Sequence, residues 1–197
     1  YNPVARSLRP PDTQHTHFTH GTPMARIVLI TGGARSGKSR HAQECCEQRP
    51  GPHLFVATCQ PGDDEMRDRV RRHRAQRDGE LWDTVEEPTD LTSVLGHNKS
   101  YRTVLVDCLT LWVSNLLGGN PELSEEAVQE RCIGIVRACR ERQGAVLLVT
   151  NEVGDGIVPD NSTARRYRDL VGRCNQTLGR RADALTLVTC GVPMDIR

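Results

Sequence analysis

The sequence predicts an α/β protein of the P-loop NTPase type (RecA-like), a mostly parallel sheet with helices on both faces. Three observations carry that expectation. Short apolar runs rich in β-branched residues alternate with helix-compatible stretches, the pattern of parallel strands joined by crossover helices. The first run, Ile27 to Ile30, leads directly into Gly32-x-x-x-x-Gly37-Lys38-Ser39 and then into a helical stretch, Arg40 to Gln48. Later runs end in the polar residues Thr58, Asp107 and Asn151-Glu152. That places chemistry at the carboxyl edge of the sheet, where open parallel sheets bind ligands.

The glycine-rich turn is the full P-loop pattern. Glycines let the backbone turn tightly and aim its N–H groups at phosphate oxygens. Gly32, Gly33, Ala34, Arg35, Ser36 and Gly37 are thus expected to cradle phosphate, aided by the positive end of the helix that follows. Lys38 is placed to reach the β- and γ-phosphates, and the Ser39 hydroxyl to ligate Mg²⁺. The motif implies a nucleoside triphosphate ligand. A signalling-type GTPase is excluded, because Asn98-Lys99-Ser100-Tyr101 lacks the acid of a guanine site and no Asp-x-x-Gly follows the third strand.

Composition sets further bounds. With 197 residues the chain is long enough for one domain with a substantial core. The expected division is a flexible extension over 1–24 and one catalytic domain over 25–197. Lys and Arg total 26 against 25 Asp and Glu, so no excess of positive charge exists to cover a nucleic-acid backbone. No apolar run has the length of a membrane span. Tyr1 to Thr22 is polar, with Pro3, Pro10 and Pro11, and lacks the apolar core of a secretory signal. His15, His17 and His20 read as part of a solvated tail rather than a metal tract. The eight cysteines form no CxxC pair and no zinc spacing, so they are expected to be reduced core thiols in a cytoplasmic protein.

Further strands are expected at His53 to Thr58, Thr103 to Asp107, Ala145 to Thr150 and Leu185 to Thr189, the last closing the chain. Trp82 to Pro88 reads as a short extended segment. Helices are expected over 64–78, 91–95, 109–117, 124–139 and 162–182, with Ser124 as an N-cap. In the 64–78 helix acids precede arginines, which suits the helix dipole. Met66, Val70 and His73 share one face there by i, i+4, i+7 spacing. A lone histidine on such a face is by itself more often a packed residue than a reactive one. Asp107, ending its strand beside a P-loop, is the natural Mg²⁺-holding acid.

Several separated motifs together resemble the bifunctional adenosylcobinamide kinase/adenosylcobinamide-phosphate guanylyltransferases of cobalamin biosynthesis, over Ile27 to Val192. They are Thr31-Gly-Gly-Ala-Arg-Ser-Gly-Lys-Ser-Arg40, Asp64-Glu-Met66, Arg69-Val-x-x-His73-x-x-x-Arg77 and Trp82-x-Thr-x-Glu86. Asp107-Cys-Leu-Thr110, Thr150-Asn-Glu-Val-Gly154, Gly156-Ile-Val-Pro159, Arg166-Tyr-Arg-Asp169, Gly172-Arg-x-Asn-Gln176 and Ala182-Asp183 follow. The P-loop alone is widely shared; the later motifs are far more specific.

The resemblance implies two reactions. ATP or GTP phosphorylates the aminopropanol hydroxyl of adenosylcobinamide, and GMP is then transferred from GTP onto that phosphate through a covalent guanylyl-histidine. The histidine maps onto His73, where a neutral imidazole is nucleophilic and neighbouring arginines disfavour its protonation and bind the attacked phosphate. The lysine nucleophile of other nucleotidyl transferases has no counterpart, since no Lys-x-Asp-Gly occurs.

The resemblance also carries Ala57, Thr58, Cys59, Arg74, Ala75, Gln76, Arg77, Glu86 and Asp107 to the nucleotide site. Cys59 stands where a small hydroxyl residue is often found, so its contact is expected through backbone. Glu86 could accept from N1–H and the 2-amino group of guanine. Asn151, Glu152, Arg166 and Asp169 are the positions suggested for corrinoid contact. The 64–78 helix is expected to move on GTP binding, and the resemblance implies a homo-oligomer, a trimer. Two other readings remain at this point: a P-loop kinase of another small alcohol without guanylyl transfer, and a nucleotide-binding switch protein.

Overall fold

The computed structural model describes residues 24–60 and 81–197. The helix expected over 64–78, with His73, Arg74, Ala75, Gln76 and Arg77, lies outside them, as does the extension before Met24. The described elements run β1 (Arg26–Thr31), α1 (Lys38–Glu47), β2 (His53–Ala57), β3 (Trp82–Glu86), α2 (Leu91–His97) and β4 (Thr103–Asp107). They continue with α3 (Leu109–Gly119), α4 (Glu125–Arg140), β5 (Ala145–Val149), α5 (Ser162–Gly179), β6 (Ala184–Thr189) and β7 (Val192–Asp195).

The strands form one seven-stranded sheet in the order β3-β2-β4-β5-β1-β6-β7. Every pairing is parallel except β6 with β7. β5 therefore separates β1, which feeds the P-loop, from β4, which ends in Asp107.

Two expectations need correction. Trp82–Glu86 is a full strand paired along its length with β2. As an edge strand it has only Trp82 buried, so its sequence lacks the continuous apolar run of the central strands. Nor does β6 close the chain: Cys190 and Gly191, both at positive φ, form a two-residue hairpin turn into β7.

β2 and β5 are buried at every position, and β4 at all but its last residue. Their alternate residues enter two separate cores, which is why both faces are apolar. Leu54, Val56, Val104, Val106, Val146 and Leu148 pack with α2, α3, α4 and α5 on one face. Phe55, Leu105, Leu147 and Val149 pack with Ala42 and Cys46 of α1 on the other. Side chains of Asp90, Ser124 and Asn161 cap α2, α4 and α5, accepting from the backbone N–H three residues on. Each such cap contributes about 1 kcal/mol.

None of the eight cysteines is in a disulfide, but the expectation of core thiols holds for only four. Cys46, Cys132, Cys139 and Cys174 are buried, Cys45, Cys59 and Cys108 half-buried, and Cys190 exposed in the hairpin turn. Burial pushes the thiols of Cys46 and Cys139 up to about 12. Among the described residues no helix is long and apolar enough to cross a membrane.

Candidate active site

The turn between β1 and α1 is built by steric necessity. Gly32 has φ +154°, and a Cβ there would stand 2.3 Å from the Val188 carbonyl oxygen and 2.7 Å from Ser36 Oγ. Gly37, at φ +95°, occupies the left-handed region immediately before α1. No side chain caps α1, and no acid lies in its first turn, so its leading N–H groups remain available to an anion. The hairpin after β6 closes against the loop, with Gly191 N–H donating to Ser36 O at 2.8 Å.

Lys38 is buried, and its Nζ donates to Gly33 O at 3.0 Å, arching over the turn that its ammonium is expected to fill with phosphate. Among the described residues, the Ser36 hydroxyl is buried without a hydrogen-bond partner, and nothing lies within 4 Å of a Cβ built on Gly33. An orphaned hydroxyl and open space at the start of a helix that no side chain caps fit a phosphate chain.

Register aligns the other expected residues. Glu86, Ala57, Asp107, Val149 and Ile30 are successive partners across five adjacent strands, one row at the carboxyl edge. At about 4.8 Å per strand, Glu86 lies roughly 19 Å from the end of β1. Asp107 is half-buried and Glu86 exposed. Thr58, fully buried, locks the strand ends: its hydroxyl donates to Cys108 O and accepts from Cys108 N–H, both at 2.8 Å. Cys59 is half-buried beside it. Ser39 sits in the first turn of α1, which packs against β1, β4 and β5.

Some contacts that join these residues were not legible in advance. Thr31 Oγ1 donates to Glu152 Oε1, bringing the acid after β5 to the root of the P-loop. Asn175 of α5 accepts from the Thr150 hydroxyl at 2.6 Å and donates to Asn151 O at 3.0 Å. Asn115 of α3 donates to Thr58 O and Pro88 O at 2.8 and 3.1 Å, joining the ends of β2 and β3. The Gly172-Arg-x-Asn-Gln176 spacing was the one local signal for Asn175; nothing local marks Asn115.

Residues 28–196 match the family model described as cobinamide kinase / cobinamide phosphate guanyltransferase. The chain belongs to this family. It is 41% identical over 185 residues to the bifunctional adenosylcobalamin biosynthesis protein CobU of Salmonella typhimurium, covering 87% of this chain and 99% of that protein. Against CobU of Escherichia coli K12 the identity is 39% over 182 residues, with 87% and 99% covered. The CobP protein of Pseudomonas aeruginosa is 40% identical over 174 residues, with 86% and 96% covered. As a cobinamide kinase / guanyltransferase family member, the chain carries the P-loop, Asp107 and Glu86 on one sheet edge; the structure leaves His73 and 74–77 outside the described residues.

Proposed function

We infer that this chain phosphorylates cobinamide and then guanylylates the product, as the two named activities of its family require. The match over residues 28–196 carries that conclusion, and the geometry of the carboxyl edge supports the division of labour that follows.

In the kinase step the P-loop amides and Lys38 hold the phosphates of ATP or GTP while the hydroxyl oxygen of adenosylcobinamide attacks the γ-phosphorus. The new O–P bond forms as the β–γ P–O bond breaks, ADP or GDP leaves, and the hydroxyl proton passes to solvent. In the second step an imidazole nitrogen of His73 attacks the α-phosphorus of GTP. An N–P bond forms, the α–β P–O bond breaks, and pyrophosphate leaves with its charge held by Lys38 and the loop. A phosphate oxygen of adenosylcobinamide phosphate then attacks the same phosphorus and releases His73. Arg74 and Arg77 offset the charge of the attacked phosphate.

Ser39 and Asp107 would hold Mg²⁺, which supplies charge neutralisation of the phosphates when bound. Among the described residues no three His, Cys, Asp or Glu side chains cluster as a metal cage. One carboxylate and one hydroxyl suit Mg²⁺, which takes its other ligands from phosphate and water. Ala57, Thr58 and Cys59 line the nucleotide path by backbone, and Glu86 selects guanine if the nucleotide lies along the row from β1 to β3. A cytoplasmic location accords with eight free thiols. The exposed Val192, Met194 and Ile196 support a homo-oligomer, the trimer of the resemblance; sedimentation as a monomer would count against it.

The test is incubation with α-labelled GTP and Mg²⁺. The expected result is a covalent adduct, stable to alkali and lost in acid, that vanishes in His73→Ala. Phosphorylation of cobinamide with no adduct would leave a kinase alone, and neither activity would leave a switch protein.

A further inference from the structure

Asn175 is level with Thr150 at the carboxyl end of β5. The turns of α5 before it therefore project beyond the sheet, alongside α3, which starts two residues after Asp107. The helices run antiparallel: Tyr167 OH donates to Thr110 O at 3.3 Å, and beyond that contact they part around an open cleft of about 960 Å³. Its walls include Ser114 and Leu117 from α3, and Asn161, Thr163, Arg166 and Tyr167 from the start of α5.

Two chain paths lead from the nucleotide edge to these walls. Ser114 is seven residues past Asp107, about 10 Å at the helical rise. The other path leaves Glu152, bonded to Thr31, and reaches Asn161 through 153–160. That segment is held at both ends: Arg168 donates to Gly154 O, and Arg165 to Pro159 O and Asp160 O at 2.9 and 2.7 Å.

The lining has a definite chemistry. Leu117 and the Tyr167 ring give an apolar floor. The hydroxyls of Ser114 and Thr163 have no partner among the described residues, and Asn161 engages only its Oδ1, with Ala164 N–H. Arg166 is compensated: its guanidinium donates to Leu123 O at 3.1 and 3.3 Å and lies 3.7 Å from Glu122. Such walls offer neutral donors and acceptors over apolar surface, unsuited to a second phosphate chain and of a size that takes a large organic ligand.

We propose that this cleft seats the corrin ring of cobinamide by its edge amides, with the hydroxyl-bearing arm reaching back to the P-loop. The proposal rests on the cobinamide reading above. Ser114 and Thr163 are exposed, so an indole at either blocks the cleft without entering the core.

The experiment titrates cobinamide by its visible absorbance and measures kinase kinetics in Ser114→Trp and Thr163→Trp. Cobinamide Kd and KM are expected to rise about 10-fold or more, as when bulk overfills a fitted site. KM for the nucleotide and labelling by α-labelled GTP stay at wild-type levels. Ser100→Trp, in a separate groove at the amino edge near Arg102 and Gln143, is the control. Wild-type cobinamide KM in both cleft variants overturns the site while leaving the function intact, and so does an equal rise in Ser100→Trp. A wild-type protein that does not bind cobinamide overturns both the site and the function.

Discussion

The Thr31 hydroxyl donates to the Glu152 carboxylate at 2.5 Å, tying the last residue of β1 to the segment after β5. Glu152 N–H also donates to Gly32 O at 3.3 Å, so this acid is held at two points beside the phosphate cradle. Thr31 is buried and Glu152 exposed. The carboxylate is therefore held by Thr31 on one side while the residue stays exposed to solvent beside the P-loop.

Thr31→Val keeps the β-branch and removes the donor. Kinase kcat is expected to fall about 3- to 30-fold through misorientation of Glu152, with nucleotide KM nearly unchanged. Thr31→Ser should recover most of the loss. Wild-type kcat in Thr31→Val would show that the bond does no more than close a loop.

Gly32→Ala forces a methyl to within 2.3 Å of a carbonyl on β6, which pairs with β1 and cannot yield. A destabilisation of about 2–4 kcal/mol is expected, together with loss of nucleotide binding. Gly33→Ala, facing open space, should change stability by less than about 0.5 kcal/mol. Urea unfolding of the two variants side by side reads the difference, and equal midpoints would contradict the steric argument.

The P-loop was legible because its residue spacing follows from local backbone geometry, and the central strands because burial on both faces demands unbroken apolar runs. β3 and β7 were not, since edge strands relax that demand: Asp83, Thr84 and Glu86 are exposed, and all of β7 is. The acid at the end of β4 stood out beside the P-loop. The Glu152 contact did not, because Thr31 lies 121 residues away and no periodicity links them. The same holds for Asn115, whose partners are 57 and 27 residues distant. Motif resemblance suggested Glu152 for corrinoid contact; only the folded structure supplies its neighbour Thr31.

Arg142 is 3% exposed, and its guanidinium donates to Leu95 O at 3.1 Å, Asn98 O at 2.9 Å and Tyr101 O. It thus satisfies the C-terminal carbonyls of α2 and the approach to β4 with one side chain. Burial holds its pKa below the usual arginine value. Arg142→Leu preserves much of the apolar stem but strands the three carbonyls, at a cost of about 2–4 kcal/mol. The urea midpoint should fall with no change in nucleotide KM under folding conditions, because the residue lies at the amino edge. An unchanged midpoint would mean that water replaces the guanidinium freely.

Asp183 accepts from Arg140 through both carboxylate oxygens at 2.7 Å, and from Ile27 N–H at 2.7 Å. The Arg140 guanidinium holds the carboxyl below its ordinary value of 3.8, helped by the Ile27 amide and opposed by partial burial. A carboxylate depressed in the folded state contributes stability that is present above the unfolded value and lost as pH falls through the folded one. The groups are partly exposed, so salt screens part of the effect. In paired urea titrations, the advantage of wild type over Asp183→Asn should be flat from neutral pH down to about 5 and shrink below about 4. Because every other carboxylate titrates in both proteins, their difference isolates this one. A gap that stays constant into acid would mean that Asp183 is not preferentially ionised in the fold, and that its three hydrogen bonds do not bias its proton.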